Sequence, residues 1–348
     1  MTGRFHALVP PAGALAVALA AALLCVALHV PLPWMIGPML AIAAVRIGGV
    51  HITAPRGARQ AGQWIIGSAL GVYFTPQVVE RVGGIVWLLI VGALFAIALG
   101  YICGYLLAGL AGTDRTTAVF ASVPGGAAEM AILGERYGAR VDEVAAAQSL
   151  RILIVVVTIP SIYALLRLHG ADPFPAASGD VRWSKLSVLL AATALAGFAL
   201  QRFRLPNAFV LGALAVAIPL TASELVGSAV PRWLINTAQL FLGCALGSRF
   251  NRGFLRRAPR FVASVTVSVA AAMALSAVFA FAVAGFTGLH PATLVLATAP
   301  GGIAEMAVTA QVLDLGVPVV TSFHVTRVIL LLVCTGPLFG WLRRQRRG

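Results

Sequence analysis

Two short motifs hold most of the chemistry this chain can offer. Pro124-Gly125-Gly126 is followed by Glu129-Met130, and Pro300-Gly301-Gly302 by Glu305-Met306, with the same spacing. An arginine follows each acid by 22 residues, Arg151 after Glu129 and Arg327 after Glu305. Proline removes a backbone donor and glycine permits a turn, so a helix entering either motif breaks there and restarts after it. A restarting helix presents free N–H groups and the positive end of its dipole, which suits an anion. Glu129 and Glu305 fall in that first turn. They either complement the dipole as caps or, at membrane depth, hold a proton or Na⁺. Arg151 and Arg327 either pair with those acids or contact an anionic substrate. The candidate substrate-binding residues are therefore Pro124, Gly125, Gly126, Arg151, Pro300, Gly301, Gly302 and Arg327. The candidate ion-coupling residues are Glu129 and Glu305.

Secondary candidates are Gln148 and His324, one turn before each arginine, and Gln63 and Gln239 in glycine-rich segments. His324 could titrate near neutral pH, although a hydrogen-bonded structural role fits it as well. The six histidines are scattered singly and the four cysteines, Cys25, Cys103, Cys244 and Cys334, show no CxxC spacing. No metal site or disulfide is expected from them. No GxSxG, P-loop or dinucleotide fingerprint occurs, so no catalytic residue and no cofactor is assigned.

The positioning elements follow from composition. Of 348 residues, 60% are hydrophobic and 10% charged, with mean hydropathy +0.95. Soluble proteins carry about 25% charged residues. This chain cannot cover a globular body in water, which excludes a cytosolic enzyme and a disordered regulator. It reads as an all-α polytopic membrane protein. The net charge of +14 comes from arginines flanking apolar segments, where they set topology, so the lipid bilayer and not nucleic acid is the expected partner. The run from Ala12 to Leu28 imitates a signal peptide but leads straight into another apolar segment. It is expected to stay as a first span.

The chain is also a duplication. Displaced by 176 positions, Gln63–Phe74 meets Gln239–Phe250 with six of twelve residues identical, and 116–151 meets 292–327 with thirteen of thirty-six identical. The first repeat covers 8–168 and the second 184–345. Each shows six apolar stretches. In the first they are 9–29, 31–47, 60–76, 83–110, 115–136 and 143–167. In the second they are 185–201, 205–221, 234–250, 259–288, 292–313 and 317–342.

Arginine placement orients them. Arg46, Arg56 and Arg59 before the third stretch face Arg232 alone in the second repeat. Arg81 after it faces Arg249, Arg252, Arg256, Arg257 and Arg260. The charge changes sides, so the positive-inside rule predicts inverted repeats. Inversion needs an odd number of crossings, and the stretch broken by Pro-Gly-Gly is expected to be re-entrant. Each repeat then has about five transmembrane helices plus one re-entrant or broken helix. Both termini, with Arg4 and Arg343, Arg344, Arg346 and Arg347, are expected in the cytoplasm of a bacterium, the chain lying in its inner membrane. Exposed apolar faces would allow a homodimer.

The paired PGG-x-AEM motif, the two repeats and the length resemble the AbrB family of bacterial membrane proteins, over almost the whole chain. These are unrelated to the small DNA-binding regulator of the same name. The resemblance marks Pro124, Gly125, Gly126, Glu129, Pro300, Gly301, Gly302 and Glu305 as motif positions. Family members carry two functional labels, ammonia monooxygenase and regulator of gene expression. Neither copper ligands nor a DNA-binding module is visible in these residues. The architecture is similar to that of inverted-repeat secondary transporters. The expected function is thus ion-coupled transport of a small organic anion through a midplane site at the two tips. The alternatives are a membrane-embedded regulator acting through a partner, or a membrane oxidase.

Overall fold

A computed structural model describes residues 8–9, 11–168, 170, 174, 180–250 and 259–345. Arg4, Arg252, Arg256, Arg257, Arg346 and Arg347, used above for topology, lie outside the described residues. The first repeat gives helices α1 (Pro11–Ala27), α2 (Pro33–Ile47), α3 (Ala58–Gly71), α4 (Pro76–Gly84), α5 (Val86–Ala111), α6 (Arg115–Ser122), α7 (Ala127–Arg136) and α8 (Val141–Leu165). The second gives α9 (Trp183–Arg202), α10 (Ala208–Ala222), α11 (Arg232–Gly247), α12 (Pro259–Thr287), α13 (Pro291–Thr298), α14 (Ile303–Val312) and α15 (Val317–Gln345). One two-residue parallel strand pair, β1 (Leu8–Val9) with β2 (His51–Ile52), departs from an all-helical chain. The short helix α4 was not expected either; it begins on Pro76, a residue suited to a helix start.

Among the described residues, α5, α8, α9 and α12 are long and apolar enough to cross a membrane. The stretches expected to cross as α1 and α2 are shorter, with 17 and 15 residues. At 1.5 Å per residue these reach about 26 and 22 Å, against a hydrocarbon core of about 30 Å. The cause is local: left-handed residues at His29 and Leu32, and at Arg204 and Asn207 in the second repeat, turn the chain between neighbouring helices.

The chain divides into two compact units that do not follow the repeats. Unit 1 comprises 1–79, 156–259 and 311–315; unit 2 comprises 80–155, 260–310 and 316–348. Unit 1 thus takes the first three stretches of both repeats, and unit 2 takes the stretches carrying both Pro-Gly-Gly motifs.

Within unit 1 the repeats exchange partners. Helix α3 packs on α10, and its counterpart α11 packs on α2. Glycines allow the close approach. A Cβ on Gly67 would sit 2.8 Å from Ala213 Cβ, and one on Gly71 2.2 Å from Ala217 Cβ. On α11, a Cβ on Gly243 or Gly247 would meet the carbonyl oxygens of Met35 and Met39 at 2.4 and 2.5 Å. Small residues serve such contacts because, in lipid, packing rather than water exclusion holds helices together. Replacing Gly71 by Val is expected to force α3 and α10 apart, at about 1–3 kcal/mol for an overpacked core. The check is thermal melting in detergent, with Gly83→Val as control, since a Cβ at Gly83 meets nothing within 4 Å.

Candidate functional site

Each predicted break falls where the motif places it. Helix α6 ends at Ser122 and α7 starts at Ala127; α13 ends at Thr298 and α14 starts at Ile303. The first broken segment closes on itself as a hairpin. Phe120 on α6 stacks on Tyr137 just past α7, with ring centroids 5.9 Å apart. At its open end Asp114 caps α6 through the Thr117 amide at 2.8 Å, and the Arg140 amide donates to the Thr117 hydroxyl at 2.8 Å. Arg140 also pairs with Glu143 at 2.7 Å and Asp114 at 3.5 Å. Burial pushes the Asp114 carboxyl up, but the Thr117 hydroxyl and amide and the Arg140 charge outweigh it and hold the group below its usual range. This clamp escaped the sequence reading, although Asp-x-x-Thr is a recognisable helix start. The second repeat lacks it, because Arg140 and Glu143 become Gly316 and Val319.

The arginines do not pair with the acids. Arg151 donates from Nη1 to Val123 O at 3.0 Å and from Nη2 to Gly125 O at 3.1 Å. Arg327 repeats this geometry, Nη1 to Ala299 O at 2.9 Å and Nη2 to Gly301 O at 2.5 Å. Val123 and Ala299 cap the C-termini of α6 and α13, so each guanidinium covers carbonyls left open by a helix end, at the negative end of its dipole. The planar fork of arginine suits two acceptors at once. Both side chains are buried, at 3% and 4% exposure, and Nε of each has no hydrogen-bond partner.

The secondary candidates one turn earlier do similar work. Gln148 donates to Phe120 O and Val123 O at 2.8 and 2.9 Å. His324 Nε2 meets Leu296 O at 3.0 Å, and as a carbonyl only accepts, the ring donates there. Leu296 corresponds to Phe120 at the repeat offset of 176. Both residues therefore secure the first arm of a broken segment. Gln63 and Gln239 belong to unit 1; Gln63 donates to Asn207 Oδ1 at 3.1 Å.

The glutamates fold back over the breaks. An ideal Cβ on Gly126 would lie 1.8 Å from Glu129 Oε2, and one on Gly302 2.0 Å from Glu305 Oε2. The first glycine of each motif lies under the methionine instead: a Cβ on Gly125 or Gly301 would meet Met130 or Met306 Cγ at 2.7 or 2.6 Å. The motif is thus one packing unit, in which two bare backbone positions accept the acid and the methionine of the next turn. Each broken segment carries its acid on the positive helix end and its arginine on the negative one. The two segments also feel each other, since the Arg151 charge interacts with those of Arg327 and Glu305, and Arg327 with Glu305. Among the described residues, no group of three or more His, Cys, Asp or Glu is placed to hold a metal ion.

A family model described as AbrB, transition state regulatory protein, matches residues 34–343. The chain belongs to the AbrB family. An Escherichia coli (strain K12) protein named as a regulator, AbrB, is 28% identical over 319 residues, covering 89% of this chain and 90% of its own. A Bacillus subtilis (strain 168) protein named YhjN is 31% identical over 301 residues, covering 80% of this chain and 77% of its own. The matched span of the AbrB family includes both Pro-Gly-Gly motifs, both acids and both arginines.

Proposed function

We propose that this AbrB-family chain is a secondary transporter for a small organic anion, coupled to a proton or Na⁺. Its two repeats are inverted and its site lies near the membrane midplane at the two breaks. The observation that carries this reading is the pair of arginines, each buried, each pinned on a broken helix by the same two carbonyl positions, and each keeping an unpartnered Nε. Broken helices at membrane depth are tolerated where protein buries them or a cavity opens beside them, and transporters use their ends to bind solute and ion. Helix N-termini and two cations favour an anion. Alternating access would open the two breaks to either face of the membrane in turn.

Thermal-shift screening of purified protein tests it. A ligand at 100 times its Kd adds about 2.7 kcal/mol, so small monocarboxylates should raise the melting temperature of the wild type. They should not raise that of Arg151→Met. Small anions that stabilise neither protein would remove the anion site from the account.

The inverted arrangement predicts where labels react. Single cysteines at positions 56, 256 and 346 should be accessible from the cytoplasm and one at 180 from the periplasm, with the chain in the inner membrane. Labelling of 256 and 346 from opposite faces contradicts re-entrant geometry in the second repeat. The names of the matched family and of the E. coli relative point to a second reading, a membrane-embedded regulator. That reading predicts ligand binding without flux.

A further inference from the structure

Among the described residues, nine buried side-chain nitrogen or oxygen atoms have no hydrogen-bond partner, and six of them form the same trio in each repeat. In the first repeat these are Ser122 Oγ, Gln148 Oε1 and Arg151 Nε; in the second, Thr321 Oγ1, His324 Nδ1 and Arg327 Nε. Gln148, Arg151, Thr321, His324 and Arg327 are at most 4% exposed. Each trio holds one hydroxyl, one acceptor and one donor, and the repeats reach it through different residues. Thr298, which corresponds to Ser122, commits its hydroxyl to Leu294 O at 2.8 Å, and Thr321 corresponds to Ala145. The members of a trio are neighbours. Gln148 and Arg151 both donate to Val123 O, at 2.9 and 3.0 Å, next to Ser122. Thr321, His324 and Arg327 stand three residues apart along one stripe of α15. Buried polar atoms are satisfied as a rule. An orphan donor beside an orphan acceptor, twice over, calls for a molecule that both accepts and donates.

We propose that the anion taken at the breaks is a 2-hydroxycarboxylate. The proposal rests on the transport reading above and names its substrate class. The carboxylate accepts from an arginine Nε and from the hydroxyl of Ser122 or Thr321. The hydroxyl on the next carbon donates to Gln148 Oε1 or His324 Nδ1. An unsubstituted carboxylate answers the donors but leaves the acceptor buried and unpaired, a larger loss than a missing contact. An amino acid could donate there too, but it sets an ammonium beside buried guanidinium groups, where like charges repel with little screening.

Lactate, propionate and alanine differ in the group on C2 and separate these cases. Melting of the full-length protein in detergent is followed against each of them at one pH and ionic strength. Lactate should reach half its maximal shift at a concentration at least about tenfold below propionate, and alanine should give no shift. Gln148→Met with His324→Phe removes both acceptors and should bring lactate to the propionate level without weakening propionate. If that variant does not fold, Ser122→Ala with Thr321→Val takes its place. Its hydroxyls have no partner to lose, so melting without ligand should hold while lactate binds several-fold more weakly. Alanine binding as well as lactate, or a lactate preference kept without the two acceptors or undiminished without the two hydroxyls, overturns the assignment. Lactate and propionate acting alike on the wild type also overturns it: water then fills the positions, and the anion reading stands. A lactate preference in a protein that moves no lactate into proteoliposomes upholds the hydroxy-acid site and refutes transport.

Discussion

Replacing Arg327 by Met should cost unit 2 about 3–5 kcal/mol, as for stripping two buried carbonyls of a charged donor. Two losses act together. The carbonyls of Ala299 and Gly301 lose their donor, and an unsatisfied buried acceptor costs about 1–3 kcal/mol. Glu305 also loses a cation with which it interacts. At about 2–4 °C per kcal/mol for a body of 150–250 residues, melting should fall by roughly 10 °C. Arg327→Lys should recover the charge but not the fork across two carbonyls, and so only part of the stability. Adding Glu305→Gln to Arg327→Met should also restore part of it. A full melting temperature in Arg327→Met would mean that the guanidinium does not secure the break.

Gly126→Ala should separate activity from stability. Gly126 has φ −70° and ψ 138°, which alanine adopts without strain, so the backbone offers no objection. The obstacle is the Glu129 carboxylate, 1.8 Å from the added Cβ. A side chain can swing aside, and the stability cost should stay below about 1.5 kcal/mol, within the ordinary range for a single substitution. The carboxylate, however, leaves its place over the break. Cation-driven flux should fall at least about tenfold, equivalent to 1.4 kcal/mol on the process. Gly125→Ala should be milder, because the flexible Met130 can repack. Equal flux in the wild type and Gly126→Ala would show that the folded-back position of Glu129 has no role.

The positions of the breaks were legible because Pro-Gly-Gly punctuates a helix wherever it occurs, and the duplication carried each reading from one repeat to the other. The offset of 176 holds even for hydrogen bonds, from Gln148 on Phe120 to His324 on Leu296. What Arg151 and Arg327 hold was not legible. A carboxylate announces itself in a sequence, whereas a carbonyl belongs to every residue and gains meaning only where a helix leaves it open. Pairing with Glu129 or Glu305 was therefore a natural expectation and the wrong acceptor. The partition was hidden for a similar reason. Helix α3 seats Gly67 and Gly71 on α10, and α11 seats Gly243 and Gly247 on α2, and a repeat alignment marks likeness between segments, not which of them touch.

Flux across a sealed bilayer tests the transport reading most directly. Purified chain in proteoliposomes should accumulate radiolabelled small monocarboxylates when an inward proton or Na⁺ gradient is imposed. It should exchange them without a gradient, and lose both activities in Arg151→Met reconstituted to the same density. Folded wild-type protein that monocarboxylates stabilise in solution, yet that moves none of them under either gradient, would contradict transport and leave a membrane receptor in its place.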